Sequence, residues 1–217
     1  MKKIILSVAS FALLFGANFL TSCTKEGDIS KPMITLKGST ITNIPLNTTY
    51  IDSGATAWDD KDGDITSSII TDKQVLNNLK GSYTVCYIVS DAAFNSTTAT
   101  RTVNVVNSAE NFACSYIVTK QIAGSTPVTY TDNIITSDIT NNRILVKRFA
   151  YHDFGSVYFD VLDTIVTIPH QTIICGNPLE PHTFVGNGTI IGTTITVNYT
   201  ETVNGISIAG IETFVKQ

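Results

Sequence analysis

The sequence predicts an all-β protein with two domains in series. From residue 32 onward the chain is rich in Thr, Ile, Val and Asn and poor in Ala, Leu and Glu, a composition that favours strands over helices. Apolar and polar residues alternate over short stretches that end in turn residues, and no long segment keeps a helical period of 3.6 residues. The polar stretch 107–111 separates two such blocks, 32–106 and 110–217.

The first 22 residues have the pattern of a secretion signal. Lys2 and Lys3 precede an apolar run from Ile4 to Leu20, which is at the short edge of the roughly 20 residues that a membrane-spanning helix needs. The tetrapeptide Leu20-Thr21-Ser22-Cys23 follows and resembles the lipobox of bacterial lipoproteins. The resemblance implies cleavage before Cys23 and acylation of that cysteine, which would anchor the chain to a membrane. The alternatives are an ordinary signal peptide and a retained anchor helix.

Residues 23–31 are predicted to be a tether between the lipid and the first domain, because they are polar and lack periodicity. The segment Lys25-Glu26-Gly27-Asp28 resembles the acidic export signals of Bacteroidota surface lipoproteins. The resemblance implies an outer-membrane lipoprotein and favours the cell surface over the periplasmic face.

The charge of the mature chain excludes one class of partner. Loss of Lys2 and Lys3 from the 14 basic residues leaves 12 against 18 acidic residues, a net charge of about −6. Nucleic acid is therefore not expected as a partner, since its phosphates require a basic face.

Residues 32–106 are predicted to form a Greek-key β-sandwich, since about seven short strands are separated by turn residues. The clearest alternation runs from Ser82 to Ser90. It places four residues on one face: Tyr83, Val85, Tyr87 and Val89.

Five sequence blocks of this domain follow one another in a defined order. They are Pro32-x-Ile34-x-Leu36-x-Gly38, Tyr50-x-Asp52-x-Gly54-Ala55-x-Ala57, Asp62-Gly63-Asp64-Ile65-Thr66, Gly81-x-Tyr83-x-Val85-x-Tyr87-x-Val89-x-Asp91 and Arg101-Thr102-Val103-x-Val105. The series resembles the bacterial immunoglobulin-like domain family DUF5011. Phe94 departs from the family pattern, which has Gly before Asn95. The resemblance implies a spacer or adhesive module of cell-surface proteins, without catalysis.

Two features of the first domain suggest binding. Asp60, Asp62 and Asp64 alternate around a glycine and offer the oxygen ligands that Ca²⁺ prefers, so calcium is the one cofactor that the sequence suggests. The other interpretation of this loop is a tight turn in which the Asp side chains cap their own backbone. Trp58 is expected to point outward if Ala55 and Ala57 point inward. It is then either a platform for sugar stacking or a lid over one end of the sandwich.

Residues 110–217 are predicted to form an antiparallel β-meander. Eight to ten strands with short connections would close as a barrel or as a strongly curled sheet, because closure removes exposed edges. In the strand predicted over 193–200, Ile195, Val197 and Tyr199 share one face. The late run Val185-Gly186-Asn187-Gly188-Thr189-Ile190-Ile191-Gly192-x-x-Ile195-x-Val197-x-Tyr199 resembles the lipocalin-like β-meander domains of Bacteroidota lipoproteins.

The cysteines allow at most one bridge within the mature chain. With Cys23 acylated, Cys86, Cys114 and Cys175 remain, an odd number. Cys114 with Cys175 is the better candidate, because both lie in the second domain. Three free thiols are the alternative.

No catalytic motif is visible, so the protein is not expected to be an enzyme. His152, His170 and His182 show no metal-ligand spacing and are interpreted as loop residues without partners. No nucleophile elbow or phosphate loop is present. Because loops carry function on β scaffolds, Tyr151, His152 and His182 are the predicted ligand contacts of the second domain.

Three functions remain open from the sequence. The first is a surface binding or adhesion module for a glycan or a partner protein. The second is a structural subunit of an outer-membrane assembly. The third is a carrier with a small apolar ligand inside the second domain.

Overall fold

The computed structural model describes residues 27–217. The predicted signal peptide, Cys23 and the start of the tether lie outside these residues. Within them, no helix is long and apolar enough to cross a membrane.

The N-terminal domain is an immunoglobulin-like sandwich of two sheets, which confirms the predicted fold. One sheet has the order β1-β3-β4, and the other has the order β2-β7-β6-β5 with β2 parallel to β7. The seven strands are β1 Met33–Leu36, β2 Ile41–Pro45, β3 Ala55–Asp59, β4 Gly63–Asp64, β5 Ile70–Lys73, β6 Gly81–Ser90 and β7 Ser96–Val106. The alternation of β6 buries Val85, Tyr87 and Val89 between the sheets, as the sequence predicts.

A buried ion pair crosses the interior of the sandwich. Arg101 on β7 is 1 % exposed, and its guanidinium lies 2.6 Å from the carboxylate of Asp52, in the connection between β2 and β3. The same guanidinium donates to the carbonyl oxygens of Lys37 and Gly54, which flank the other sheet. Tyr87 also donates its hydroxyl proton to Asp52. One side chain therefore ties the two sheets together.

The C-terminal domain is a closed antiparallel barrel of eight strands, one of the two closures that the sequence predicts. Each strand pairs with its neighbour in sequence, and the last strand pairs with the first. The strands are β8 Ser115–Ile122, β9 Val128–Thr136, β10 Arg143–Val146, β11 Val157–Leu162, β12 Ile165–Cys175, β13 Glu180–Ile191, β14 Thr194–Val203 and β15 Ile206–Lys216.

Aromatic rings fill the barrel. Phe149 lies in a short 3-10 turn, Phe149–Tyr151, and its ring centroid is 4.8–5.4 Å from those of Phe159, Phe184 and Tyr199 in edge-to-face contacts. Tyr199 packs directly on Gly210 of β15, where a Cβ atom would lie 2.5 Å from the tyrosine ring. A glycine is therefore needed opposite this ring.

The sandwich is attached to one end of the barrel. Asn107, 1 % exposed, donates from its side-chain amide to the carbonyl oxygens of Ser137 and Thr140 in the β9–β10 connection. Lys80 forms an ion pair of 3.1 Å with Glu110 beside this junction. We call the opposite end of the barrel, formed by the β8–β9, β12–β13 and β14–β15 connections and by the Phe149–Tyr151 turn, the free end.

The chain enters the sandwich far from the barrel. The side-chain amide of Asn95, just before β7, donates to the carbonyl oxygen of Asp28, whereas β7 ends at Val106 beside the barrel. An 11-residue strand spans roughly 35 Å. The sandwich thus separates the N-terminal entry point from the barrel.

A buried glutamate lies in the barrel wall. Glu212 on β15 is fully buried and accepts a hydrogen bond of 2.7 Å from the hydroxyl of Tyr130. Burial raises the pKa of Glu212 to about 8, although Tyr130 and the nearby Lys120 act in the opposite direction. The folded protein therefore holds this carboxyl proton more tightly than the unfolded chain does.

We expect replacement of Arg101 by Met to cost about 3–5 kcal/mol of unfolding free energy, because it leaves Asp52 buried without its partner. Urea unfolding of the mature chain measures this loss. Arg148→Met is the matched control, since Arg148 forms an exposed pair with Asp153 and should contribute less than about 1 kcal/mol. Equal losses in the two variants would contradict the assigned role of Arg101.

We expect Glu212→Gln to raise the melting temperature relative to wild type at pH 8 and much less at pH 5. Between the ordinary pKa of 4.5 and about 8, the carboxyl ionises in the unfolded chain but not in the folded one. Wild-type stability should therefore fall with rising pH, by at most about 1.4 kcal/mol per pH unit from this group. Thermal melts from pH 5 to pH 8 measure the difference, and a difference that does not change with pH would refute the assignment.

Candidate functional site

Two histidines, a glutamate and a cysteine converge at the free end of the barrel. His182 on β13 and Glu201 on β14 occupy inward positions of neighbouring strands, because each continues its strand's alternation beyond Phe184 and Tyr199. Cys175, the last residue of β12, is fully buried. Strand alternation therefore positions three of the four side chains.

His152 reaches the cluster from the Phe149–Tyr151 turn. Phe149 anchors this turn in the aromatic core, and the next two residues, Ala150 and Tyr151, have left-handed backbone conformations with φ of 56° and 64°. Non-glycine residues adopt this conformation at a cost of order 1–3 kcal/mol and cluster at functional sites. The strained turn directs His152 onto Glu201.

Glu201 holds both imidazoles with one oxygen. Its Oε1 atom is 2.6 Å from Nε2 of His152 and 2.5 Å from Nδ1 of His182, and the ring centroids are 4.6 Å apart. Burial acts to raise the pKa of Glu201, but hydrogen bonds from His152 and His182 outweigh burial and lower it. Glu201 is therefore ionised, and each ring donates to it the N–H group that faces the carboxylate. In this tautomer the other nitrogen of each ring is available as an acceptor or as a metal ligand.

The second nitrogen of His182 is buried and unused. Its Nε2 atom has no hydrogen-bond partner among residues 27–217, and the side chain is 8 % exposed. A Cβ atom at Gly176, a residue with φ of +83°, would lie 2.8 Å from this nitrogen. Gly176 therefore packs closely against Nε2, where no side chain would fit, and Oε1 of Glu180 lies 3.9 Å from the same nitrogen.

Cys175 completes the cluster. It offers a sulfur within 4.8 Å of a ring nitrogen of both His152 and His182. Burial, together with the charges of Glu201 and Glu180, raises the pKa of the Cys175 thiol to about 11. The thiol is protonated at neutral pH, so it is not an activated nucleophile.

A surface cleft lies over the cluster. It has a volume of about 340 Å³ and is lined by Tyr151, His152, Asp153, Phe154, Gly176, Asn177 and Leu179. Tyr151 and Phe154 are 50 % and 60 % exposed. The cleft thus combines exposed aromatic side chains with polar groups beneath them.

The structure corrects the interpretation of the histidines. Tyr151, His152 and His182 lie together at the free end, but His182 is on a strand and is paired with Glu201, as is His152. His170 is exposed on β12. The sequence did not indicate that Glu201 or Cys175 belongs to this cluster. Since Ile195, Val197, Tyr199 and Glu201 share the inner face of β14, extending that strand past residue 200 would have found the glutamate.

The predicted disulfide between Cys114 and Cys175 is wrong for this structure. Both residues are free thiols. Cys114 precedes β8 at the end of the barrel that contacts the sandwich, whereas Cys175 lies at the free end. A disulfide requires Cα atoms within about 7 Å, which opposite ends of a barrel do not provide.

The acidic loop of the sandwich uses its side chains in several ways. Asp62 and Asp64 accept backbone N–H bonds from Ala92 and Thr66, and Asp60 lies 3.5 Å from Lys61. The structure groups Asp60 with Asp28 and the buried Asp59, whose oxygens lie within 4.8 Å of one another. It does not group Asp60 with Asp62 and Asp64. Calcium binding by Asp60, Asp62 and Asp64 stays a prediction.

Trp58 points outward on β3, opposite Met33 of β1, and is 58 % exposed. Because β3 is part of the sandwich, this residue is remote from the free end of the barrel. Its role in binding stays a prediction.

Comparisons with known proteins match the sandwich to a family model and the longer chain to distant solved structures. Residues 34–105 match the family model described as the Ig-like domain of a bacterial surface protein. Comparison with curated proteins finds no match. One similar solved structure is a lipoprotein of Bacteroides thetaiotaomicron, 17 % identical over 86 % of this chain and 100 % of that chain, with a TM-score of 0.36. Another contains CBM51-2 in complex with GlcNAc and the INT domains of ZmpB from Clostridium perfringens, 18 % identical over 86 % of this chain and 44 % of that chain, with a TM-score of 0.29.

These two likenesses are too distant to carry an argument about function. The finer resemblances, to the DUF5011 family and to lipocalin-like domains, stay predictions. The family match covers the sandwich, and it shows that residues 34–105 are similar to the Ig-like domains of bacterial surface proteins.

Proposed function

We propose that the protein is a lipid-anchored, non-catalytic binding module that presents the free end of its barrel to a glycan outside the cell. One observation carries this proposal: Tyr151 and Phe154 are exposed at the cleft of the free end. The chain enters the sandwich at Asp28, at the end remote from the barrel, and the predicted lipid site precedes this residue in the sequence. The spacer-like sandwich therefore holds the cleft away from the membrane.

The chemistry of the cleft suits a sugar. An aromatic ring can stack against the apolar C–H face of a pyranose, while polar side chains at the same cleft bond its hydroxyl groups. Asp153 and Asn177 supply such polar groups beside Tyr151 and Phe154.

The alternative functions have less support. The aromatic packing around Phe149 leaves little room for an apolar ligand inside the barrel, which argues against a carrier. A purely structural subunit would not need exposed aromatic residues around a cleft. The Cys175 thiol is protonated, so it is not arranged as a nucleophile. Both carboxylate oxygens of Asp160 bond to Arg143, so Asp160 is not arranged as a general base.

We expect the double variant Tyr151→Ala/Phe154→Ala to lose at least about fivefold in glycan affinity, if each stacked ring contributes about 0.5–1.5 kcal/mol, as in aromatic pairs. A glycan array with the mature wild-type chain identifies the ligand, and titration compares the variants. Phe94→Ala is the matched control, since Phe94 is 88 % exposed on the sandwich.

A parallel screen with model hydrolase substrates tests the non-catalytic part of the proposal. Turnover that a single substitution abolishes would overturn it. No binding on the glycan array and no turnover of the model substrates would favour the structural-subunit alternative.

We expect metabolic labelling with a clickable fatty acid to mark the wild-type protein and not Cys23→Ala, because the predicted acyl chains are attached at this cysteine. Cys86→Ala is the control and should keep its label. Label retained on Cys23→Ala at the wild-type level would refute the lipid anchor. Protease treatment of intact cells then separates surface display from the periplasmic face.

A further inference from the structure

We propose that the free end of the barrel binds a borderline-soft transition metal ion such as Zn²⁺ through His152, Cys175 and His182, with Glu201 holding the two imidazoles in place. This inference goes beyond the glycan-binding proposal and does not depend on it. It rests on the ligand set, on the orientation of the rings and on one unpartnered nitrogen.

The ligand set suits such an ion. His152, Cys175 and His182 each offer one ligand atom, and these atoms all lie within 4.8 Å of one another. Imidazole nitrogen and thiolate sulfur are the donors that Zn²⁺ prefers over hard oxygen ligands. Tetrahedral Zn²⁺ holds its ligand atoms roughly 3.3–3.8 Å apart. Side-chain rotations that move the ligand atoms by about 1 Å would therefore bring all three within bonding distance of one ion.

The orientation of the rings is that of a metal site. A histidine that binds a metal ion through one ring nitrogen usually donates the N–H group of the other nitrogen, often to a carboxylate. This hydrogen bond fixes the tautomer and makes the metal-binding nitrogen more basic. Glu201 accepts from both His152 and His182 with the same oxygen. One carboxylate thereby prepares two ligands at once.

The unpartnered nitrogen points to a missing ligand. Nε2 of His182 is buried and has no partner in the described part of the chain, although buried polar atoms nearly always have one. Glu180 lies 3.9 Å from this atom as a fourth ligand within reach.

Binding of the metal ion exchanges the thiol proton of Cys175 for a metal–sulfur bond. The metal ion forms bonds to two neutral imidazole nitrogens and to the sulfur of Cys175. The thiol proton is released to solvent as the metal–sulfur bond forms, and no oxidant or reductant is needed.

Titration of the reduced, metal-free mature chain with Co²⁺ and then with Zn²⁺ tests the proposal. We expect one Co²⁺ per chain, a thiolate-to-cobalt charge-transfer band in the near ultraviolet, and displacement of Co²⁺ by Zn²⁺. Cys175→Ser should lose the band, whereas Cys86→Ser, the control thiol on the sandwich, should keep it. Saturating Zn²⁺ should also raise the melting temperature of wild type by mass action.

The positioning role of Glu201 has its own readout. Glu201→Gln should keep the charge-transfer band and the stoichiometry but weaken Zn²⁺ binding by about 10–100-fold. This is the usual loss of metal affinity when a carboxylate that orients a metal-binding histidine is replaced. His182→Gln should weaken it further, since a ligand itself is removed.

The wild-type titration decides the proposal even if a variant fails to fold. Absence of Zn²⁺ binding, a bound Co²⁺ without the thiolate band, or equal affinity in wild type and Cys175→Ser would each overturn it. Glycan binding is measured separately in the presence of a chelator, so failure of one proposal is distinguishable from failure of the other.

Discussion

Closure of the barrel by the pairing of β15 with β8 is the constraint on which the C-terminal domain depends. A closed barrel fixes which residues of every strand face inward, because alternate positions cannot change face without breaking the ladder. The inward positions hold the aromatic rings around Phe149 along most of the barrel. At the free end the same positions hold His182 and Glu201. His182 and Glu201 therefore continue the core pattern of their strands, and only His152 joins the cluster from a connection.

Two buried glutamates of neighbouring strands show how the surroundings decide charge. Glu201 has two imidazole N–H groups on one oxygen, and these hydrogen bonds lower its pKa despite burial. Glu212 is more deeply buried, and the hydroxyl of Tyr130 together with Lys120 does not compensate, so its pKa is raised. One carboxyl is thus an anion that holds two imidazoles, and the other stays neutral in the barrel below about pH 8.

The sequence predicts the fold well because strand alternation is a local signal. The faces of β6 and β14 and the outward position of Trp58 could be assigned from the period of two alone. The candidate site could not, because it forms from the ends of strands, where polar residues resemble loops. Glu201 falls one residue beyond the strand predicted over 193–200. The approach of His152 depends on left-handed conformations at Ala150 and Tyr151, which no residue type there predicts.

The opposite placement of the two ends of the sandwich has a mechanical consequence. The chain enters near Asn95 and leaves at Val106, so tension between the N-terminus and the barrel acts along β7. Backbone hydrogen bonds between β6 and β7 run across this direction. The ladder is therefore loaded in shear, with its bonds sharing the load together, and not unzipped pair by pair. A spacer built in this way resists extension along the axis on which anything held at the free end would pull.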